Sequence, residues 1–392
     1  MSIQSTPLPK AQKKSVFSTG LALFSMFFGA GNLVIPLVIG KNAGSENVSA
    51  VVGLGISAVL FPFLGLTAMM MYGGCLKSFL SRLGKWPAFA MMFILFMSQG
   101  PVGVLPRLLT LMHASVKPYF PEISLTAFSV VMAVLIFWMT IRPHRIIQIL
   151  GTVLTPVLLV TMGILVGVGL FQSGAPVMAP EGAWHHLSAG FKGGYQTMDL
   201  ISALLFVSVI LPHLSQGFEG DGKQVRRRVM GASILAASLL MISYIGLTWL
   251  ASHYGKSLGN QVEDVDLLYG IAVRILGPWG SIIATSTVFL ACLTTAISLA
   301  AVFAEYVRTE WLKGKGSLSM PLALTLGLTA AMATLGFSGI VKILGPVLEI
   351  LYPSLIVLCL LNMAHRFYGI QLFRAPVFAM LVLGVIGFVI RH

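Results

Sequence analysis

Apolar stretches long enough to cross about 30 Å of hydrocarbon recur along the whole chain, near 18-40, 48-73, 86-113, 122-141, 146-172, 190-213, 227-252, 279-307, 318-336, 339-363 and 374-390. Such stretches predict helices, because lipid leaves no other way to satisfy the backbone of a single apolar segment. The chain therefore reads as an all-α polytopic membrane protein of about eleven transmembrane helices, with twelve as the alternative count. Of its 392 residues only 9% are charged, too few to cover the surface of a water-soluble protein of this size. The formal net charge of +13 would suit nucleic acid. Most of the Lys and Arg, however, sit in short runs between apolar stretches, as in loops facing anionic lipid, and no nucleic-acid partner is read. Cys75, Cys292 and Cys359 lie in or beside apolar segments without metal-ligand spacing, so neither disulfides nor a zinc site is indicated.

Orientation follows from the cations. With the N-terminus cytoplasmic, the inner loops hold Lys10, Lys13, Lys14, Lys77, Arg82, Lys85, Arg142, Arg145, Lys223, Arg226, Arg227, Arg228, Arg308, Lys313, Lys315, Arg366 and Arg374. The opposite loops carry Glu46, Glu181, Glu263, Asp264 and Asp266 with scattered cations such as Lys117, Lys192 and Lys256. Residues 1-17 then form a cytoplasmic tail leading into an uncleaved first helix. The segment 263-277, with Leu267, Leu268, Ile271 and Ile275 on one face, suits a helix lying across an outer loop. Pro346 and Pro353 interrupt the tenth span.

Two spans are interrupted by glycine at corresponding places: the first at Gly29-Ala30-Gly31-Asn32, the sixth at Gly193-Gly194-Tyr195-Gln196-Thr197-Met198-Asp199. That pairing points to two inverted five-helix repeats, 18-172 and 190-363, with broken first and sixth helices, a midplane site between them and a final span at 374-390. On the glycines alone the first motif reads as a close-packing seam. Asn32 and Pro36, an amide and a helix breaker beside them, shift the reading to an unwound segment whose freed groups bind a ligand. Asp199, inside the sixth span, either faces a cavity or caps the helix that resumes there. On the eighth span Thr294 or Thr295 with Ser298 places hydroxyls on one helical face, suited to a hard cation, although threonines in membrane helices commonly bond their own backbone. Arg107 in the third span and Glu349 in the tenth read as a gate, an ion pair or separate residues, and Glu305 as a solvated terminus of the eighth. His185-His186 lacks a third ligand at useful spacing and reads as outer loop.

These stretches resemble the bacterial branched-chain amino acid:cation symporter family. The resemblance rests on Ala22–Gly44 (ALFSMFFGAGNLVIPLVIGKNAG), Gln99–Arg107 (QGPVGVLPR), Gly194–Leu205 (GYQTMDLISALL), Phe289–Val307 (FLACLTTAISLAAVFAEYV) and Pro346–Leu361. It implies a leucine-transporter-type fold and sodium-coupled uptake of leucine, isoleucine and valine across the bacterial plasma membrane, with no cofactor. By motif position it implies that Gly29, Ala30, Gly31, Asn32, Tyr195, Thr197 and Asp199 bind the substrate. It further implies a sodium site from carbonyls near Ser25 and Phe28 and hydroxyls of Thr294, Thr295 or Ser298. The sequence departs from the family where Leu37 follows Pro36 in place of a second proline, and it ends earlier than relatives with twelve spans. Proton coupling through Asp199 or Glu349 is the nearer alternative. A channel is more distant, as is a membrane-embedded enzyme, whose usual metal and nucleophile motifs are missing from the spans.

Overall fold

The computed structural model describes residues 16–141, 154–172, 174, 176–179, 181–215, 222–259, 262–369 and 374–391. Among these residues there are helices and no strands. The first span is two helices, α1 (Val16–Phe27) and α2 (Ala30–Ala43). The second runs as α3 (Asn47–Gly55), one π turn (Ile56–Leu60) and α4 (Phe61–Met71), and a short α5 (Leu76–Leu80) follows. The third span, read as continuous, is broken as well, into α6 (Lys85–Gln99) and α7 (Val104–Val116). Next come α8 (Leu125–Thr140) and α9 (Thr155–Gln172), the start of the predicted fifth span at 146–153 lying outside the described residues.

The sixth span comprises α10 (Ala183–Thr197) and α11 (Asp199–Ser215), and the seventh is α12 (Gly222–Tyr254). A short α13 (Leu267–Leu276) buries Leu267, Leu268, Ile271 and Ile275 on one face, as the periodicity of 263-277 predicts. The last spans are α14 (Pro278–Tyr306), α15 (Ser319–Ala333), α16 (Gly336–Tyr368) and α17 (Ala375–Arg391). Helix α16 runs through both Pro346 and Pro353 without ending. The outward faces carry large apolar side chains, as on α8 with Val130, Val131, Val134 and Trp138, which is the surface a bilayer covers.

The loops predicted for one side of the membrane meet one another. Lys77 pairs with Glu310 at 2.8 Å, Arg82 lies 2.9 Å from His365, and Arg366 donates to the Met71 carbonyl at 3.2 Å. At the other pole Tyr119 and Ser281 share a hydrogen bond, and Ser45 accepts from the Ala179 amide. Lys10, Lys13, Lys14, Arg142 and Arg145 lie outside the described residues. Glu305 forms a two-point contact with Arg308 at 2.7 and 2.9 Å, at the end of α14 as expected.

The centre is α14, whose residues from Ala291 to Ala300 are all buried and which packs against α1, α7, α8, α9, α13 and α15. Beside it, α10 and α3 approach until backbone meets backbone. A Cβ at Gly53 would overlap the Leu187 carbonyl, and one at Gly190 the Ala50 carbonyl. Gly194 belongs to this seam too, facing Ser57. The glycines at 193 and 194 therefore do not break the sixth span: both are helical, and the break lies after Thr197. Gly190→Ala is expected to cost about 1–3 kcal/mol through overpacking, read as a lower melting temperature of the detergent-solubilised protein. Gly167→Ala on α9, where a Cβ meets nothing within 4 Å, should not lower it.

Candidate functional site

The two breaks touch. Gly29 sits between α1 and α2 in an extended conformation (φ −115°, ψ −156°), and a Cβ there would stand 3.1 Å from both Leu108 of α7 and the Thr295 methyl of α14. A Cβ on Gly31 would meet the Gln196 carbonyl and the Thr197 Cα, each at 3.0 Å. The motif thus needs glycine for close approach, which is the packing reading, and that approach brings the two interrupted helices together at their broken points.

Asn32 joins them chemically. In the first turn of α2 its Oδ1 accepts the Gly29 N–H at 3.2 Å, supplying a partner that the broken helix lacks. Its Nδ2 donates to both carboxylate oxygens of Asp199, each at 2.8 Å, and also reaches the Tyr244 hydroxyl. Tyr244, on α12, donates to Asp199 Oδ2 at 2.7 Å. Asn32, Asp199 and Tyr244 are all buried, with exposures of 2%, 1% and 0%. Asp199 opens α11, where a negative charge also meets the positive end of the helix dipole, so cap and buried acid coexist in one residue.

On the other side of the second break, Met198 holds a left-handed conformation (φ 62°, ψ 20°), unusual for a residue other than glycine. Its carbonyl accepts from Gln99 Nε2 at 3.0 Å and from the Ser202 hydroxyl at 3.2 Å, and that hydroxyl also lies 3.0 Å from Gln99 Oε1. Arg107 donates from Nη1 to the Gln196 carbonyl at 3.2 Å, a cation at the carbonyl end of α10. Gln99 and Arg107 flank the break in the third span, which thereby serves the break in the sixth. Arg107 is buried at 2% exposure, whereas Glu349 lies on an exposed part of α16, and no ion pair joins the two among the described residues.

Of the remaining candidates, Thr197 donates to the Gly194 carbonyl of its own helix at 2.8 Å, and Tyr195 packs its ring 4.7 Å from that of Tyr352 on α16. Ala30 is buried in the first turn of α2. The proposed cation ligands converge more closely. The Ser25 carbonyl, among the last of α1 and free of an α-helical partner, accepts from Thr295 Oγ1 at 3.0 Å and Thr294 Oγ1 at 3.2 Å. Ser298 instead bonds the Thr294 carbonyl at 2.9 Å, and Phe28 is buried beside this seam with its N–H bonded to the Phe24 carbonyl. Among the described residues no group of three or more His, Cys, Asp or Glu side chains is arranged to hold a metal ion. His185 and His186 instead face Glu181 at 3.1 and 3.8 Å. Tyr244 and Gln99 escaped the sequence reading; a tyrosine in an apolar span and a glutamine just ahead of Gly100-Pro101 were the available signals.

Membrane-spanning helices broken where they cross, with polar side chains turned inward, are the architecture of a membrane transporter. Matches to known proteins say which kind. The family model described as branched-chain amino acid transport protein matches residues 12–390, so the chain belongs to that family and is a multi-pass membrane transporter, not an enzyme. The branched-chain amino acid permease BrnQ of Bacillus subtilis is 29% identical over 369 residues, 92% of this chain and 83% of that protein. BrnQ of Escherichia coli K12 is 25% identical over 387 residues, covering 96% and 86%. Among solved structures, a Na+-coupled sialic acid symporter in a substrate-bound outward-open state is similar in fold at a TM-score of 0.58 and 12% identity, over 96% of this chain and 90% of that one. A manganese transporter of Eremococcus coleocola matches at 0.51 and 14% identity, over 97% and 93%.

Replacing Tyr244 by Phe removes one of the donors to a buried carboxylate and is expected to cost about 1–3 kcal/mol of stability. Asn32→Ala removes more, including the cap on Gly29, and should lower the melting temperature further. A double substitution that costs no more than Asn32→Ala alone would show that the two donors act as one unit.

Proposed function

We propose that this protein imports leucine, isoleucine and valine together with sodium across the bacterial plasma membrane by alternating access, with its N-terminus in the cytoplasm. The observation that carries the ion assignment is the meeting of the Ser25 carbonyl with the hydroxyls of Thr294 and Thr295. These are three oxygen ligands, the type a hard cation prefers, brought together from two helices. The substrate would bind at the crossing lined by Gly29, Ala30, Gly31, Asn32, Tyr195, Thr197 and Asp199. Residues 18-172 and 190-363 act as the two inverted repeats, so that α1, α2, α10 and α11 rock against a scaffold of the third and eighth spans. An inward sodium gains about 2.3 kcal/mol per 100 mV, enough alone for roughly fiftyfold accumulation at one ion per substrate. A second reading, proton coupling, is favoured by one feature: Asp199 is a buried carboxylate at the crossing.

Labelled leucine taken up by proteoliposomes separates these readings. A sodium gradient is expected to drive uptake, and removing sodium to stop it. Thr295→Ala should raise the half-saturating sodium concentration tenfold or more, since a hydrogen-bond-like contact to a charge contributes about 1.5–3 kcal/mol. Uptake driven by a proton gradient alone, insensitive to Thr294→Ala and Thr295→Ala, would assign the coupling to Asp199 instead. Orientation has its own probe. Cys75 is exposed and a hydrogen bond with Ser78 holds its thiol below the usual range, while Cys292 and Cys359 are buried. A membrane-impermeant maleimide should label Cys75 in inside-out vesicles and not in right-side-out ones.

A further inference from the structure

Two buried charges flank the turn from Gln196 to Asp199 without pairing with each other. Arg107 and Asp199 are 2% and 1% exposed, and among the described residues no ion pair within 4.0 Å involves either. Unpaired buried charges are costly, and a guanidinium cannot relieve that cost by losing its proton. Asp199 is at least hydrogen-bonded, through Asn32 and Tyr244. Arg107 is not satisfied: Nη1 reaches the Gln196 carbonyl, but Nε and Nη2 have no hydrogen-bond partner. Those two nitrogens form one edge of the guanidinium, the edge that grips the two oxygens of a carboxylate. The same protein shows this at Arg308, whose Nε and Nη2 hold the two oxygens of Glu305 at 2.9 and 2.7 Å. The Phe337 ring lies over the guanidinium, 5.1 Å from the Arg107 Cζ, and occupies its face and not its hydrogen-bonding edge.

From this we infer that Arg107 receives the carboxylate of the transported amino acid on its Nε/Nη2 edge, with Asp199 as counter-charge to the substrate ammonium. The assignment rests on the proposed substrate site and gives it a polarity. It moves the substrate carboxylate away from the start of α2, where Asn32 already engages the Asp199 carboxylate and a second anion would be repelled. A zwitterion neutralises both buried charges at once. An amine or an acid with the same aliphatic tail neutralises one and leaves the other uncompensated, so the site selects the α-amino acid head group independently of the side chain.

Thermal stabilisation of the purified protein in sodium tests this with leucine, leucinamide, which keeps the ammonium only, and 4-methylpentanoate, which keeps the carboxylate only. In the wild type both analogues should bind about 100-fold or more weakly than leucine. In Arg107→Gln leucine should weaken to within a few-fold of leucinamide, while leucinamide itself changes little. Arg107→Lys, with charge but no fork, should fall between. Equal weakening of leucine and leucinamide by Arg107→Gln would reduce Arg107 to a cap on the Gln196 carbonyl and overturn the inference. Leucinamide binding the wild type as well as leucine would overturn it too, whether or not the variants fold. A wild type stabilised by none of leucine, isoleucine and valine would sink the substrate site itself, a different failure from an analogue-insensitive response to leucine.

Discussion

Everything at the centre of this protein follows from one requirement: inside hydrocarbon, a backbone N–H or C=O released from a helix must find another partner. Among the described residues three spans are broken, and side chains meet the exposed groups at the breaks in the first and sixth, some from the same span and some from other helices. Asn32 serves Gly29, Gln99 and Ser202 serve Met198, Arg107 serves Gln196, and Thr294 with Thr295 serve Ser25. The polar side chains at the crossing are therefore largely engaged with backbone, the Nε/Nη2 edge of Arg107 excepted. These side chains sit beside the backbone groups they bond, and those groups lie where two broken helices touch.

The division of labour among helices is also clear. Long, unbroken α14 supplies hydroxyls from a wholly buried face, and α12 reaches the crossing with Tyr244 while packing along α1 and α2. The seam between α3 and α10 is glycine against carbonyl, so it is fixed by shape and not by hydrogen bonds. Hydroxyl-to-carbonyl bonds between α1 and α14 are weaker ties, contributing about 1 kcal/mol each. That joint is the one at which the Ser25 carbonyl and the Thr294 and Thr295 hydroxyls converge.

The helical membrane architecture and its alternating loops were legible because apolar length and cation placement report directly on a bilayer. The first break was legible because Gly29, Gly31, Asn32 and Pro36 stand together. The second falls within the run from Gly193 to Asp199 on which it was read, but not at the glycines, for a physical reason. Gly193 and Gly194 serve close packing, while the break falls on Met198, whose carbonyl is held by Ser202 of the next turn and by Gln99, 99 residues away. No local propensity records such a partner. The break in the third span was hidden the same way, since its function is to present Gln99 and Arg107 to a segment about ninety residues away. The pairing of Asn32 with Asp199, 167 residues apart, is likewise a fact of topology.

Interrupting a span at its middle also changes its mechanics. Helices α1 and α2 are 12 and 14 residues long and meet at Gly29, with Gly31 resting on the backbone of α10. Each half is then a stiff rod about 20 Å long with one end at Gly29, so a tilt of about 10° would carry its far end about 3.5 Å. A small rotation at the crossing would therefore be felt at either end of the span while the groups beside Gly29 keep their distances.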